Sequence, residues 1–173
     1  GQHWFEKPPL YFWLARLTTS ILEEKEFALR LPSALLMVVS VGLVFLITWE
    51  AKKDLVAAGL SALVLLTTAY FVFAARQMRL DVPVTCAILL GFYAFIKAKN
   101  SPKWYLGVGL AVALGIMFKI VIGLLLLPII GIYALATRPS FAIKNTWLLA
   151  GIGLGMLSIL PWHIDHYLKF GQL

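Results

Sequence analysis

The sequence contains little charge and almost no cysteine, and each shortage excludes a class of protein. Only 13% of its 173 residues are charged, whereas a soluble domain contains roughly 25% charged residues. Cys86 is the single cysteine and lies within an apolar run, which excludes an internal disulfide and a metal site built on paired cysteines. With 61% hydrophobic residues and a mean hydropathy of +0.90, the chain is too apolar for a soluble enzyme or a disordered protein.

The charge that is present is mostly basic. Lysine and arginine number 15 and acidic residues number 8, which gives a net charge of +7. These basic residues lie singly between apolar runs, so no nucleic-acid partner is expected. Basic loops beside a bilayer explain the charge better, and membrane lipids are the partners that they indicate.

Six apolar stretches have the length that transmembrane helices need. A helix that crosses ~30 Å of hydrocarbon requires about 20 residues, or fewer where the bilayer thins. The run 104–137 is too long for one span, because it would measure about 51 Å at ~1.5 Å per residue, and we divide it near Lys119. The predicted fold class is therefore all-α, a polytopic integral membrane helical bundle with about six transmembrane helices at 31–49, 55–74, 83–98, 104–118, 121–137 and 146–162.

Residues 1–30 and 163–173 flank this transmembrane region, 31–162, and we predict that they belong to external loops. The first loop contains a segment, residues 9–22, that is too short and too polar to span the bilayer. Its apolar residues recur at helical spacing and form one stripe: Leu10, Leu14, Leu17 and Ile21. This pattern predicts an amphipathic helix that lies in the external interface of the bilayer.

The distribution of lysine and arginine predicts the orientation of the bundle. Three short loops, 50–54, 99–103 and 138–145, are rich in basic residues. By the positive-inside rule these loops face the cytoplasm. The opposite side, which carries residues 1–30, 75–82 and 163–173 and the turn at Lys119, is then external.

Several short motifs follow one another in a characteristic order. The first is Glu-Lys-Pro-Pro-Leu-Tyr-Phe-Trp-Leu at residues 6–14, and the second is Phe-Ala-Leu-Arg-Leu-Pro-Ser-Ala-Leu at residues 27–35. Weaker motifs follow at 79–81, 115–119 and 161–162. In these motifs the chain resembles the lipid-linked-sugar glycosyltransferases of the GT-C type. The resemblance is greatest to aminoarabinose transferases and protein O-mannosyltransferase-like enzymes.

The resemblance implies a function and a location. The full-length protein would transfer a sugar from a polyprenyl-phosphate-linked donor to an extracytoplasmic lipid, protein or glycan acceptor. The membrane would be the bacterial inner (plasma) membrane, with the active side extracytoplasmic. Members of this family carry an essential acidic motif before their Lys-Pro-Pro segment, and the catalytic base belongs to it. Because this sequence starts after that point, we expect an internal fragment that is inactive alone.

A non-enzymatic transporter or lipid flippase segment is the alternative. Such a protein would show paired charges at the middle of the membrane and broken helices in inverted repeats. Lys119 is the only charged residue that the predicted spans could place near the middle of the membrane, and the sequence shows no internal repeat. An acidic pair about 20–40 residues before Lys7 in the full-length sequence would favour the transferase.

Two lysines are candidates for binding the donor phosphate. Lys7 precedes the interfacial helix, and the resemblance implies that this residue contacts the phosphate of the carrier lipid. A compact ammonium suits a phosphate leaving group, although a lysine here could simply reach the lipid headgroups. Lys119 interrupts an apolar run, and such a charge marks either a functional site or a hidden turn.

Asp81, Arg76 and Arg79 form the second group of candidates on the external side. The resemblance implies a functional role for Asp81, which could orient the donor or the acceptor. The alternative is that Asp81 caps the helix that follows it, because aspartate before a proline-containing first turn is a good cap. Arg76 and Arg79 could bind an anionic substrate, or they could pair with the acidic residues at 23–26.

Glu6, His163 and His166 are the only set of residues suited to a metal ion. The two histidines lie three residues apart, and we place them on the same side of the membrane as Glu6. A divalent ion held by the three residues would fasten the interfacial helix to the last loop. The alternative is that the two histidines anchor the helix in the membrane interface without a metal.

Overall fold

The computed structural model describes residues 7–137 and 146–170, and this part of the chain is helical with no strand. The all-α prediction is therefore confirmed for the described residues. A short 3₁₀ turn covers Pro102–Trp104. The α-helices in chain order are α1 (Leu10–Ile21), α2 (Lys25–Lys52), α3 (Leu55–Thr67), α4 (Ala69–Ala75), α5 (Asp81–Lys97), α6 (Tyr105–Phe118), α7 (Ile120–Leu124), α8 (Leu126–Thr137) and α9 (Thr146–Phe170).

Some of these helices are long and apolar enough to cross a bilayer. In the described ranges, α2 and α9 meet this criterion singly, and α3 with α4 would form a third, broken span bent by 63°. Large apolar side chains along α3 are exposed, among them Val56, Leu60 and Val64, as lipid-facing residues are. These apolar helices indicate an integral membrane protein. The number of six spans stays a prediction.

Helix α2 begins at Lys25, six residues before the predicted span at 31–49, and it runs through Pro32. Proline has no N–H, so Pro32 leaves the carbonyl of Ala28 without its usual helical donor. The hydroxyl of Thr18 donates to that carbonyl at 2.6 Å. The hydrogen bond both satisfies the carbonyl and holds α1 against α2.

Helix α1 has one face against the protein and another face exposed. Tyr11 and Ala15 are buried in a cluster that includes residues of α5 and α6. Leu17 and Ile21 are 57% and 71% exposed. The predicted apolar stripe is therefore partly buried against the bundle and partly exposed, because α1 packs directly on the bundle and also presents apolar residues outward. Its position in the membrane interface stays a prediction.

The chain reverses at Lys119, between α6 and α7. Lys119 is extended, with φ −159° and ψ 98°, and it separates the two helices. The backbones of Gly115 and Gly123 touch after the reversal, since a Cβ on Gly123 would lie 2.1 Å from the carbonyl carbon of Gly115. Glycine at both positions thus permits the tight turn. Lys119 consequently lies at an end of the bundle.

Helix α9 packs closely on α6 through small residues. A Cβ on Gly109 would lie 1.8 Å from the carbonyl oxygen of Gly151, so only glycine allows this approach. Helix α9 continues to Phe170 and contains Pro161. The prediction that a loop begins at residue 163 is wrong for 163–170, because the helix continues beyond the end of the apolar run.

Two ion pairs identify which loops share an end of the bundle. Lys97 Nζ lies 2.9 Å from Glu50 Oε1, which brings the ends of α2 and α5 together. Lys119 Nζ lies 3.0 Å from Asp81 Oδ1 at the start of α5. The loops 50–54 and 99–103 therefore share one end, and Asp81 and Lys119 lie at the opposite end, which we call the outer end. That the first end faces the cytoplasm stays a prediction.

Thiol labelling tests this orientation. Single-cysteine variants at Lys52, Lys99 and Glu24, each made in a Cys86→Ala background, are treated with a membrane-impermeant reagent in intact cells. We expect labelling at position 24 and none at positions 52 and 99, because basic loops are retained in the cytoplasm. The reverse pattern would overturn the orientation.

Candidate functional site

Asp81 is the centre of a cluster of charges at the outer end. Its Oδ1 accepts a hydrogen bond from Lys119 Nζ at 3.0 Å, and its Oδ2 lies 3.1 Å from Arg79 Nε. The hydrogen bond from Lys119 is the main reason that the pKa of Asp81 falls below its usual value, and Arg79 adds to the effect. Asp81 precedes the predicted span at 83–98 and is ionised at neutral pH. The cluster is therefore two cations that share one carboxylate.

The alternative interpretation of Asp81 as a helix cap is wrong. The N-cap position of α5 is Leu80, and no side chain forms a capping hydrogen bond there. The carboxylate of Asp81 is instead directed to Lys119 and Arg79. Its negative charge still favours the first turn of a helix, but the specific partners of this carboxylate are the two cations.

Contacts to both the backbone and the side chain of Arg79 fix its position. The hydroxyl of Ser33 donates to the carbonyl of Arg79 at 3.3 Å. The guanidinium lies 5.7 Å from the centre of the Tyr70 ring, a distance at which a cation and an aromatic face attract. Together with Asp81, these contacts fix where the charge of Arg79 lies.

A buried pair of hydroxyls connects α1 with this loop. Tyr11, which is 1% exposed, donates to the carbonyl of Leu29 at 3.0 Å and lies 2.8 Å from Ser33 Oγ. Sequence reasoning missed Tyr11, Ser33 and Tyr70 as supports of the site. Tyr11 and Ser33 lie inside the motifs at 6–14 and 27–35. Their place in these motifs was the only feature of the sequence that could have indicated a role in the site.

Lys7 lines an open pocket beside the loop that carries Arg79. The pocket has a volume of about 340 Å³ and is lined by Lys7, Tyr11, Phe12, Met78 and Leu80. Lys7 is exposed, and Pro8 beside it is buried. Leu80 lies directly before Asp81, so the Lys7 pocket and the Asp81 cluster are neighbours at the outer end.

Arg76 is not brought into the Asp81 cluster by any contact within 7–137 and 146–170. Its side chain is exposed. The predicted alternative, in which Arg76 and Arg79 pair with the acidic residues at 23–26, is wrong for Arg79, which pairs with Asp81. Within that acidic segment, Glu26 forms its ion pair with Arg30 of the same helix.

The two candidate metal-binding histidines lie one turn apart on α9. His163 Nδ1 is 2.9 Å from the carbonyl oxygen of Ile159, which leaves Nε2 available for a metal. The ring of His166 stacks on Trp162 with centroids 5.0 Å apart. Glu6 lies outside the described residues, within which no group of three metal-binding side chains occurs. The divalent ion stays a proposal, and the third ligand would have to be Glu6.

Elemental analysis tests the metal proposal. The purified full-length protein should contain about one equivalent of a divalent ion, because two imidazoles and a carboxylate can bind zinc with one open position. A His163→Ala, His166→Ala double variant should lose the ion. A wild-type protein without a bound divalent ion would contradict the proposal and favour the alternative, in which the histidines anchor the interface.

The exposed apolar helices and the charged outer end define a helical membrane protein with a polar site at one end of the bundle. Residues 6–164 match the family model described as dolichyl-phosphate-mannose-protein mannosyltransferase. This match covers most of the chain, which therefore belongs to that family of GT-C type membrane glycosyltransferases. The resemblance predicted from the motifs is confirmed. No curated protein and no solved structure matches the chain.

Proposed function

We propose that the full-length protein transfers a sugar from a polyprenyl-phosphate donor to a lipid, protein or glycan acceptor. The proposed location is the bacterial inner membrane, with the site on the extracytoplasmic side. The observation that carries the proposal is the concentration of cations around one carboxylate, where Asp81 pairs with Arg79 and Lys119. The Lys7 pocket next to this cluster has room for the phosphate of a lipid-linked sugar.

The reaction develops negative charge on the departing phosphate, and these cations can stabilise it. The bond between the anomeric carbon and the phosphate oxygen breaks, and the bonding electrons leave with the phosphate. A bond to the acceptor oxygen forms, and a base takes the proton of the acceptor hydroxyl. Cations fixed in advance near the departing phosphate lower the barrier, because they stabilise the charge as it develops. Lys7 is the proposed first contact of that phosphate.

Asp81 suits positioning better than proton transfer. Both of its oxygens are engaged by cations, and its lowered pKa makes it a weak base. We therefore assign Asp81 to orienting Arg79 and Lys119 toward the substrate, and the base to a residue outside this cluster. Arg76 is proposed as a peripheral cation that attracts the anionic donor, since it is exposed three residues before Arg79.

A transfer assay in sealed vesicles tests the proposal. Full-length protein is reconstituted and given polyprenyl-phosphate mannose, the sugar that the family description names, with cell-envelope acceptors. Labelled sugar should appear on an acceptor at a rate that depends on the protein. Movement of the lipid across the bilayer without transfer would contradict the proposal and support the flippase alternative.

A further inference from the structure

A cavity lies at the end of the bundle opposite to the proposed active site. It has a volume of about 500 Å³ and lies where α2 and α5 end and α8 passes. Phe92 is the lining residue of α5 nearest to Asp81 and lies 11 residues after it, so at ~1.5 Å per residue the cavity begins about 17 Å from Asp81. It therefore cannot be an extension of the Asp81 cluster.

The cavity has a charged rim and an apolar wall. Its rim contains Lys53, Lys99 and Asn100, and its wall contains Phe92, Phe95 and Ile129. A polar mouth at a helix end that continues into an apolar wall matches the two parts of a phospholipid, a charged headgroup and an acyl chain. The chemistry of the lining thus suggests a lipid.

The rim carries more positive than negative charge. Glu50 is the one carboxylate in the lining, and it pairs with Lys53 at 2.6 Å and with Lys97 at 2.9 Å. Lys99 is exposed and forms no ion pair within the described ranges. The lining therefore contains two ammonium groups, those of Lys53 and Lys99, and one carboxylate, which Lys97 also pairs with from outside the lining. The resulting excess of positive charge is complementary to a phosphodiester.

The backbone of Lys53 supports a role for its side chain. Lys53 ends α2 in the left-handed region, with φ 54°, and no other described non-glycine residue has a positive φ. Glycine is the usual residue at such a helix end, because a side chain makes this conformation costly. The lysine places its ammonium beside Glu50 and 5.9 Å from the Trp49 ring, at the mouth of the cavity.

We propose that this cavity binds an anionic phospholipid of the leaflet at that end, which the charge pattern predicts to be cytoplasmic. The phosphate lies between Lys53 and Lys99, and one acyl chain lies along Phe92, Phe95 and Ile129. Basic pockets between transmembrane helices bind anionic headgroups in this way. The site is separate from the donor site and does not depend on it.

Native mass spectrometry of the full-length protein tests the proposal. The protein is exposed to equal amounts of phosphatidylglycerol and phosphatidylcholine with the same acyl chains, and the bound lipid is counted. We expect several-fold retention of phosphatidylglycerol over phosphatidylcholine, and no displacement by excess glycerol 3-phosphate, which lacks the acyl chain. Equal retention of both lipids, or full displacement by glycerol 3-phosphate, would overturn the proposal.

Matched variants show whether the lipid occupies this cavity. Lys99→Gln should weaken phosphatidylglycerol binding about fivefold, the effect expected for one basic residue near an anionic headgroup. Lys52→Gln and Lys103→Gln are the controls, because both lysines are exposed near the same end but do not line the cavity. Equal losses in the controls, or a larger loss in Lys7→Ala than in Lys99→Gln, would contradict this location.

Discussion

Replacing Lys7 with alanine in the full-length enzyme should reduce the rate of sugar transfer by ~10²- to 10³-fold. A preorganised positive group near developing leaving-group charge contributes about this factor. Removal of an exposed cation should change the free energy of unfolding by no more than about 0.5 kcal/mol. Lys7→Arg should recover only part of the activity, because a planar guanidinium does not reproduce a compact ammonium.

The measurement pairs transfer from a polyprenyl-phosphate donor with thermal unfolding of each variant. Lys25→Ala is the matched control, because Lys25 is also exposed and begins α2 without contributing to the Lys7 pocket. The control should keep wild-type activity. Near-wild-type transfer by Lys7→Ala, or a loss of transfer in Lys25→Ala as large as that in Lys7→Ala, would remove Lys7 from the site.

Replacing Asp81 with asparagine should lower the transfer rate about 10²-fold, the size of effect that a displacement of ~1 Å in an active site can cause. The asparagine side chain is uncharged, so nothing would offset the repulsion between the Arg79 guanidinium and the Lys119 ammonium. Both cations would then move away from their present positions. Stability should change by less than ~1 kcal/mol, because Asp81 is one-third exposed and its ion pairs are screened by solvent.

Asp54→Asn provides the control for this substitution. Asp54 caps α3 at the opposite end of the bundle and accepts hydrogen bonds from the backbone N–H groups of Val56 and Ala57. Asparagine caps helices about as well as aspartate, so this variant loses a carboxylate and keeps the fold. Equal transfer rates in Asp54→Asn and Asp81→Asn would show that Asp81 has no special role.

The family and the helical class could be predicted from the sequence because their signals are local. The Lys-Pro-Pro segment at 6–14 and the motif at 27–35 are specific, and apolar runs of transmembrane length indicate helices without any tertiary information. The Asp81 cluster could be predicted only in part. Lys119 is 38 residues from Asp81 in sequence. The two charges meet because α6 packs antiparallel to α5, which returns the chain to the end where α5 begins.

Two helices extend beyond the predicted spans at ends that contain proline. The spans at 31–49 and 146–162 stop one residue beyond Pro32 and Pro161, whereas α2 begins at Lys25 and α9 continues to Phe170. The hydrogen bond that Pro32 cannot form is replaced by one from Thr18, a residue of a different helix. Such a replacement depends on tertiary packing. The periodicity of a single segment therefore cannot predict it.

The most direct test of the account is a structure of the full-length enzyme with a bound polyprenyl phosphate. The account predicts the phosphate within ion-pairing distance of Lys7, in the pocket lined by Tyr11, Phe12, Met78 and Leu80, beside the Asp81 cluster. The prenyl chain should leave this pocket toward the exposed apolar face of α1. A polyprenyl phosphate bound only away from Lys7, with none in this pocket, would contradict the assignment of the donor site.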